Sequence, residues 1–263
     1  MNIKLLNKED ENRAEFFVTG VDITYLNALR RIMESRVPTM AIDDVEIRKN
    51  NSIFYDEMIA LRLGLLPLTT DIKSYNLSEE CSCKGVGCNS CTLKLTLKAK
   101  GPGYVYAKQI KSKDPKVIPV YPNTPILKLL ENQDVELECT AKLGRGINHS
   151  KWNAGLVFYR QAVNIEIKKI DDPERIKRVC PTHVFEVKEG KLIAENVDKC
   201  ILCDACVDES NGNVIISPKD EYFFTVESWG QITLKELGVQ AIKEFNNLLD
   251  ELTETFKSIS DEE

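Results

Sequence analysis

Three cysteines in the pattern Cys-x2-Cys-x2-Cys, namely Cys200, Cys203 and Cys206, most constrain what this chain can fold into. This spacing wraps a loop around one face of an iron–sulfur cube, so that three thiolates bind three irons. A fourth iron needs a remote ligand, and Cys180, which is followed by Pro181, is the candidate. Proline fixes φ and lacks a backbone donor, which suits a tight chain reversal at a ligand. The pattern therefore predicts one [4Fe-4S] cluster, or a [3Fe-4S] cluster if Cys180 does not ligate.

The segment between these ligands predicts a β-hairpin with Glu189 and Gly190 at its turn. The whole stretch resembles half of a bacterial-type ferredoxin domain. It departs from a two-cluster ferredoxin because the chain has no second Cys-x2-Cys-x2-Cys run. One cluster fits this pattern and two do not. Two alternatives stay open for the same cysteines, a zinc ion or a disulfide with free thiols.

A second group of cysteines lies earlier in the chain, in the string CSCKGVGCNSC. A Cys-x-Cys pair and a Cys-x2-Cys pair, joined by a Gly-containing loop, can close a tetrahedral thiolate site for zinc. One or two disulfides are the alternative, because no histidine assists and Cys-x-Cys binds with a tight bite. The predicted ligands of this second site are Cys81, Cys83, Cys88 and Cys91. Cys139, the ninth cysteine, lies on a predicted strand, where we expect a small buried hydrophobe.

Composition narrows the class of protein. The chain has 263 residues, of which 43% are hydrophobic, and a formal net charge of −6, which argues weakly against a dedicated nucleic-acid-binding module. Its first residues contain no apolar run long enough for a signal peptide or a membrane span, so we expect a cytoplasmic protein. In that compartment nine cysteines indicate metal or cluster ligation rather than disulfides.

Apolar periodicity predicts a helix near each end of the chain and strands between them. The first helix is capped by Asp22 or Thr24 and ends before Pro38. Alternating runs within residues 43–157 predict a β-rich unit. The apolar positions of the first helix are Leu26, Leu29, Ile32 and Met33.

The last helix opens with a capping box formed by Thr233 and Glu236 and runs for about seven turns. Its apolar stripe is longer than a small domain usually covers, so a partner subunit is expected on it, although packing against its own domain is the alternative. The stripe consists of Leu234, Leu237, Ala241, Phe245, Leu248, Leu252, Phe256 and Ile259.

Residues 24–68 contain the strings LNALRR, VPTMAIDDVEI and DEMIALRLGLLPL, which resemble the signature of the α-type subunits of multisubunit RNA polymerases. The string LGRGINHSKWNAG and the long last helix also match that family. With a ferredoxin-like insert and a four-cysteine loop, the chain is most similar to the archaeal branch of the family, whose member is designated by the letter D, in its crenarchaeal form.

This resemblance implies an α+β fold in which two domains are inserted into a third. Residues 1–42, 158–170 and 218–263 would form an α-subunit-type dimerisation domain. Residues 43–157 would form the inserted β-rich domain, and residues 171–217 the inserted ferredoxin-like iron–sulfur lobe. A lobe of this size buries too little apolar surface to be stable unaided, so the cluster would stabilise it.

The resemblance further implies a non-catalytic assembly subunit of DNA-directed RNA polymerase. It would pair with a smaller α-like subunit, called L in archaea, join the small subunits N and P, and form the platform on which the large catalytic subunits assemble. The implied pairing face consists of Leu26, Leu29, Ile32, Met33, Phe245, Leu248 and Leu252. Arg30 and Arg31 would contact the large subunits, or are solvated charges on an ordinary amphipathic helix.

No catalytic residue is predicted. The acidic pairs Asp43 with Asp44 and Asp171 with Asp172 lie in segments that look structural, and no Gly-rich phosphate loop is present. We therefore expect little or no direct DNA contact and no membrane association. The alternative function is a ferredoxin-type electron-transfer or redox-sensing protein, which the cysteine pattern alone supports.

Overall fold

A computed structural model describes residues 1–260 of the chain, without the side chain of Ser260. Residues 261–263, the end of the predicted 218–263 segment, lie outside the described residues. The described chain forms two compact units. The first comprises residues 1–9, 14–27 and 158–225, and the second residues 10–13, 28–157 and, of the described residues, 226–260. Among residues 1–260, no helix is both long and apolar enough to cross a membrane.

The described chain combines helices with antiparallel pairs of strands, as in an α+β fold. The strands are β1 (Asn2–Lys8), β2 (Arg13–Thr19), β3 (Pro38–Asn50), β4 (Thr92–Lys100), β5 (Gly103–Tyr106), β6 (Lys111–Ser112), β7 (Pro125–Leu129), β8 (Asp134–Arg145), β9 (Gly155–Ile167), β10 (Phe185–Lys188), β11 (Lys191–Ala194) and β12 (Val214–Ser228). The helices are α1 (Ile23–Ser35), α2 (Asp56–Gly64), α3 (Pro173–Val179), α4 (Ala205–Glu209) and α5 (Leu234–Ser260).

The first unit is built on a four-stranded sheet in the order β1-β2-β12-β9. Between β9 and β12 the chain forms a small lobe made of α3, the β10–β11 hairpin and α4. The hairpin pairs Lys188 with Lys191, and both turn residues, Glu189 and Gly190, have positive φ. This is the backbone geometry of a tight two-residue turn. The predicted hairpin is therefore confirmed.

In the second unit a four-stranded sheet runs in the order β3-β8-β4-β6. Strand β8 lies at its centre and pairs antiparallel with both β3 and β4. Its side chains alternate between buried and half-buried, so Leu137, Cys139 and Ala141 enter the core while the residues between them do not. The core of this unit receives Leu95 and Leu97 from β4. Cys139 is fully buried there, as predicted.

Helix α2 contributes one face to the same core. Ile59 and Leu63, four residues apart, are completely buried. Met58 and Leu61 lie on the other side of the helix and are about half exposed, as is Leu65, which immediately follows the helix. Helix α2 therefore has two apolar faces. Its own unit buries one of them and leaves the other exposed.

Strand β8 carries a glycine that a tryptophan requires. A Cβ atom on Gly144 would lie 2.4 Å from the ring of Trp152, far below any van der Waals contact. The indole Nε1 of Trp152 donates a hydrogen bond of 3.2 Å to the carbonyl of Lys142 in the same strand. Any side chain at position 144 would consequently displace the indole.

The two amphipathic helices begin where their capping residues predict. Asp22 Oδ1 accepts a hydrogen bond of 2.7 Å from the backbone N–H of Thr24 at the start of α1. At the start of α5, Thr233 Oγ1 accepts from the N–H of Glu236, and Glu236 Oε2 accepts from the N–H of Thr233, both at 3.2 Å. This reciprocal arrangement is the predicted capping box. Its confirmation explains why α5 begins sharply at Leu234.

Candidate metal centres and pairing surface

The four cysteines of residues 81–91 come together at one point. Their Sγ atoms all lie within 4.8 Å of one another. Cys81 and Cys88 are 3.6 Å apart, Cys83 and Cys91 are 3.6 Å apart, and Cys88 and Cys91 are 3.9 Å apart. Four sulfurs placed tetrahedrally about 2.3 Å from one ion would be separated by about 3.8 Å. The sulfur atoms thus already have the spacing that a tetrahedral ion requires.

These distances also bear on the alternative of disulfides. A disulfide requires a sulfur–sulfur bond of about 2.05 Å. All four cysteines are free thiols, and the contacts between them are almost twice that length. The geometry therefore matches ligation of one shared ion better than pairwise oxidation.

The backbone of this loop curls tightly around the sulfur atoms. Lys84, Gly85 and Gly87 have positive φ, which lets the chain reverse between the two halves of the site. The N–H of Cys88 donates a hydrogen bond of 3.3 Å to the Sγ of Cys91. Hydrogen bonds of this kind favour the thiolate form that binds metal.

Local contacts give the thiols different acidities. A hydrogen bond from the backbone of Gly87 lowers the pKa of Cys83 to about 6, whereas burial raises the pKa of Cys91 to about 12. Only a nearby cation would make all the thiolates stable together, because neighbouring negative charges repel. The site accordingly needs a bound positive charge to ionise fully.

The second cysteine stretch lies in the small lobe of the first unit. Cys180, Cys200 and Cys206 belong to its buried core, whereas Cys203 is exposed. Burial raises the pKa of Cys206 to about 11, and charges on the other three thiols add to this effect. All four sulfur atoms therefore share one neighbourhood. Burial also raises the pKa of Cys200. Cys200 and Cys206 therefore stay protonated at neutral pH unless a metal replaces their protons.

Within residues 1–260, only the 81–91 group has cysteine sulfurs as close together as a single ion needs. Ligands of an iron–sulfur cube lie further apart, because each thiolate binds a different iron. Among the described residues, the four cysteines of the lobe therefore lack the sulfur spacing of a preformed site for a single ion.

Backbone strain is concentrated in the same lobe. Non-glycine residues with positive φ are uncommon, and each costs of order 1 kcal/mol or more. Leu202 and Asp204, which lie between the ligand candidates Cys200 and Cys206, both adopt this conformation. Other strained positions in the lobe are His183, Glu189 and Asn211. Such strain persists only where the surrounding structure enforces it. Because the core of this lobe is small, packing alone is a weak source of that enforcement.

The predicted pairing face falls into three classes of burial. Leu26, Ile32 and Met33 are buried within the chain, so they present no surface for a partner. Leu29, Phe245 and Leu248 are partly buried. Leu252 is 53% exposed and is the predicted member that lies open to solvent.

Sequence reasoning left several exposed apolar residues of α5 out of the pairing face. Val239, Ile242 and Leu249 each expose roughly half of their side chains, although they fit the helical period less regularly. A search for all apolar residues within about 100° of the stripe would have found two of them. The exposed apolar surface of α5 consists of Val239, Ile242, Leu249, Leu252, Phe256 and Ile259.

Charged candidates have mostly internal partners. Arg30 contacts Glu34 at 2.7 Å and is half-buried, while Arg31 is exposed. Asp43, one member of a predicted acidic pair, is held by Lys142 and Lys151. Burial raises the pKa of Asp43, but the two lysines outweigh it and leave the pKa below the usual range. This carboxylate is therefore committed to ion pairs within the chain.

Comparison with known proteins identifies the family. Residues 45–157 match the model described as the RNA polymerase Rpb3/RpoA insert domain. The chain is 40% identical to DNA-directed RNA polymerase subunit Rpo3 of Methanosphaera stadtmanae, over 88% of this chain and 90% of that protein. It is 36% identical to the proteins of the same name from Methanosarcina acetivorans and Thermococcus kodakarensis, over 96% and 92% of this chain and 97% and 93% of theirs.

These relatives correct the designation predicted from the sequence. They carry the name Rpo3 and not the letter D. The matched insert domain points to the same α-like subunit. Identity of this level over nearly the full length of both proteins shows common membership, and the chain therefore belongs to the family of DNA-directed RNA polymerase subunit Rpo3.

Proposed function

We propose that this chain is a non-catalytic assembly subunit of DNA-directed RNA polymerase, working in the cytoplasm. The observation that carries the proposal is the exposed apolar surface of α5. Six large apolar side chains on one helix are each about half exposed or more. Contiguous apolar patches of this kind on soluble proteins mark interaction sites. A helix in a partner would bury them.

The partner would be a smaller α-like subunit, the one called L in archaea. The small subunits N and P and then the large catalytic subunits would dock on the resulting heterodimer. Support comes from the family and from the net charge of −6, which does not favour direct contact with DNA. The ion pairs to Lys142 and Lys151 also leave the Asp43 carboxylate poorly suited to hold a catalytic magnesium ion.

The 81–91 site would hold one zinc ion in this function. Four thiolates supply a complete tetrahedral shell, which is typical of structural zinc and leaves no open position for catalysis. Since the ligand bonds form only in the folded state, their free energy would stabilise a loop that has little core of its own.

The lobe of residues 171–217 would hold one iron–sulfur cluster on Cys180, Cys200, Cys203 and Cys206. The buried thiols and the strained backbone around Leu202 support this assignment. A cluster would join α3, the hairpin and α4, and so stabilise the lobe. A four-iron cube uses all four cysteines, and a three-iron cluster uses the three closely spaced ones.

One observation favours a second function, electron transfer or redox sensing. Cys203 is exposed, so a cluster would have one corner near solvent, where it could exchange electrons. Reversible reduction of the purified chain by a small-molecule reductant, without loss of iron, would support that function. It would not by itself contradict assembly.

The assembly function is tested by co-expression with the candidate small subunits. We expect a stable heterodimer, and we expect Leu252→Glu to weaken it by about tenfold or more, because a charge would replace a buried apolar contact. Asn247→Glu is the control. It lies five residues from Leu252, on a different side of the helix, and is also exposed. The proposal would be contradicted if the chain stayed monomeric with every candidate subunit. It would also be contradicted if both substitutions weakened the heterodimer equally.

A further inference from the structure

Arg145, at the end of β8, contacts two carboxylates that are far apart in the sequence. Its Nη2 lies 3.1 Å from Glu80 and 3.4 Å from Glu244. These residues are 65 and 99 positions away along the chain. The Arg145 side chain is only 20% exposed, so water screens this charge less than it screens a surface ion pair. One guanidinium thus joins a loop to a distant helix.

Each end of this connection belongs to a feature already described. Glu80 immediately precedes Cys81 in the four-cysteine loop. Glu244 lies in α5, beside Phe245, and only 13% of its side chain is exposed. The contact therefore runs from the metal site, through Arg145, to the helix that carries the exposed apolar surface.

The loop end of the connection depends on the cysteine site. Glu80 is 62% exposed and is held by the turn that also delivers Cys81. In that turn the N–H of Glu80 donates to Leu77 and the N–H of Lys84 donates to Cys81. Ligand bonds to the four sulfur atoms would fix this turn much more firmly than the two backbone hydrogen bonds do.

We propose that Arg145 is a positioning residue that couples metal binding at the four-cysteine loop to the placement of α5. With metal bound, the loop holds Glu80, Glu80 holds the guanidinium, and the guanidinium holds Glu244. Without metal, Glu80 is released and the middle of α5 loses this restraint. The inference rests on the proposed function, since it treats α5 as the pairing helix.

The geometry of the guanidinium supports this role. Among the described residues, the buried Nε of Arg145 has no hydrogen-bond partner. A second carboxylate oxygen can therefore join the arrangement and make one contact bidentate, as arginine prefers. A lysine carries the same charge but lacks the planar fork, so it would restore the coupling only in part.

The test is hydrogen–deuterium exchange on the full chain, measured on peptides covering α5, with zinc bound and after removal of zinc by a chelator. In the unmodified chain, zinc removal should speed exchange in the middle of α5 by about two- to fivefold, the range expected for one partly buried ion pair. In Arg145→Gln, exchange should be fast with or without zinc, while zinc stays bound at one ion per chain. Arg145→Lys should fall between the two.

Two further variants keep the outcome clear. Glu80→Gln changes an exposed side chain, so it should fold normally and still remove the zinc effect on α5. Arg48→Gln is the matched control, because Arg48 also bridges two carboxylates, Glu46 and Glu138, elsewhere in the insert. The zinc effect should survive in that variant.

Three outcomes would contradict the coupling. The first is zinc binding without any change in the exchange rate of α5, and the second is a zinc effect that persists in Arg145→Gln and Glu80→Gln. The third is a purified chain that binds no zinc. Pairing with the smaller subunit is measured separately. A chain that shows the coupling yet pairs with no candidate would contradict the proposed function and leave the coupling intact.

Discussion

The Sγ atoms of Cys81 and Cys88 lie 3.6 Å apart although seven positions separate them in the sequence. Two thiolates at this distance repel each other, by about 1 kcal/mol even in water and by more where they are buried. The contact is therefore stable in two situations, with protons on the sulfur atoms or with a cation between them. At neutral pH a soft divalent cation displaces those protons.

We accordingly predict that the purified chain carries about one zinc ion and that Cys91→Ser loses most of it. Cys91 is fully buried, so its thiolate closes the inner side of the site. Metal content of the desalted protein is the measurement. Cys139→Ala, at a buried cysteine outside both groups, is the control and should keep the zinc. Zinc-free protein with two disulfides, seen by mass spectrometry, would contradict the prediction.

Cys203→Ser should remove iron from the lobe of residues 171–217 without disturbing its core, because Cys203 is the exposed member of that group. Once the cluster is lost, we expect faster proteolysis within the lobe and lower recovery of assembled polymerase. Iron analysis of anaerobically purified protein and limited proteolysis are the measurements. Cys139→Ser serves as the comparison. Iron-free protein with a fully protected lobe and normal assembly would argue against a stabilising cluster.

Removal of the capping box should loosen the first turns of α5. Thr233→Ala eliminates the acceptor for the N–H of Glu236, at a cost of about 1 kcal/mol. Faster amide exchange at the start of the helix is the readout. Thr255→Ala provides the control, because Thr255 lies in the same helix and its hydroxyl donates only to the carbonyl of Glu251. Equal exchange in both variants would show that the box is unimportant.

Asp71 should contribute a pH-dependent part of the stability. Hydrogen bonds from Lys116 and then from Ser74 lower its pKa to about 2, compared with 3.8 for an ordinary aspartate. A lowered folded-state pKa adds stability above the unfolded value, and that stability is lost as the pH falls from about 4 to about 2. Asp71→Asn should thus cost about 1 kcal/mol at pH 6, since the exposed Lys116 limits the gain, and almost nothing at pH 2.

Urea unfolding at several pH values between 2 and 6 measures that difference. Glu131→Gln, at an exposed acid in the same domain, is the control and should follow the unmodified chain at every pH. A deficit of Asp71→Asn that stays constant down to pH 2 would contradict the assignment.

Sequence patterns correctly predicted the elements that depend on interactions between residues close together in the sequence. The capping box and the period of α5, the turn at Glu189 and Gly190, and the alternation along β8 all depend on residues within a few positions of one another. The same reason applies to the cysteines of residues 81–91, which lie so close in sequence that a shared site is hard to avoid. Strand β1 was not predicted, because its apolar residues Ile3, Leu5 and Leu6 do not alternate regularly with polar ones.

Long-range packing was beyond a single sequence. The helical period marks Leu26 and Leu252 equally as apolar positions, yet the first is 2% exposed and the second 53%. A period identifies the apolar side of a helix but not what covers it. Arg145 contacts Glu80 and Glu244, which are 65 and 99 positions away in the sequence. No local sequence pattern predicts contacts over such separations.

The tryptophan that lies against Gly144 gives the protein an internal optical probe. The chain has two tryptophans, and Trp152 is 7% exposed while Trp229 is 38% exposed. A sheltered indole emits at shorter wavelength than a hydrated one. Replacing Trp229 with phenylalanine would leave Trp152 as a single emitter, whose colour would report when strand β8 and its neighbours come apart during unfolding.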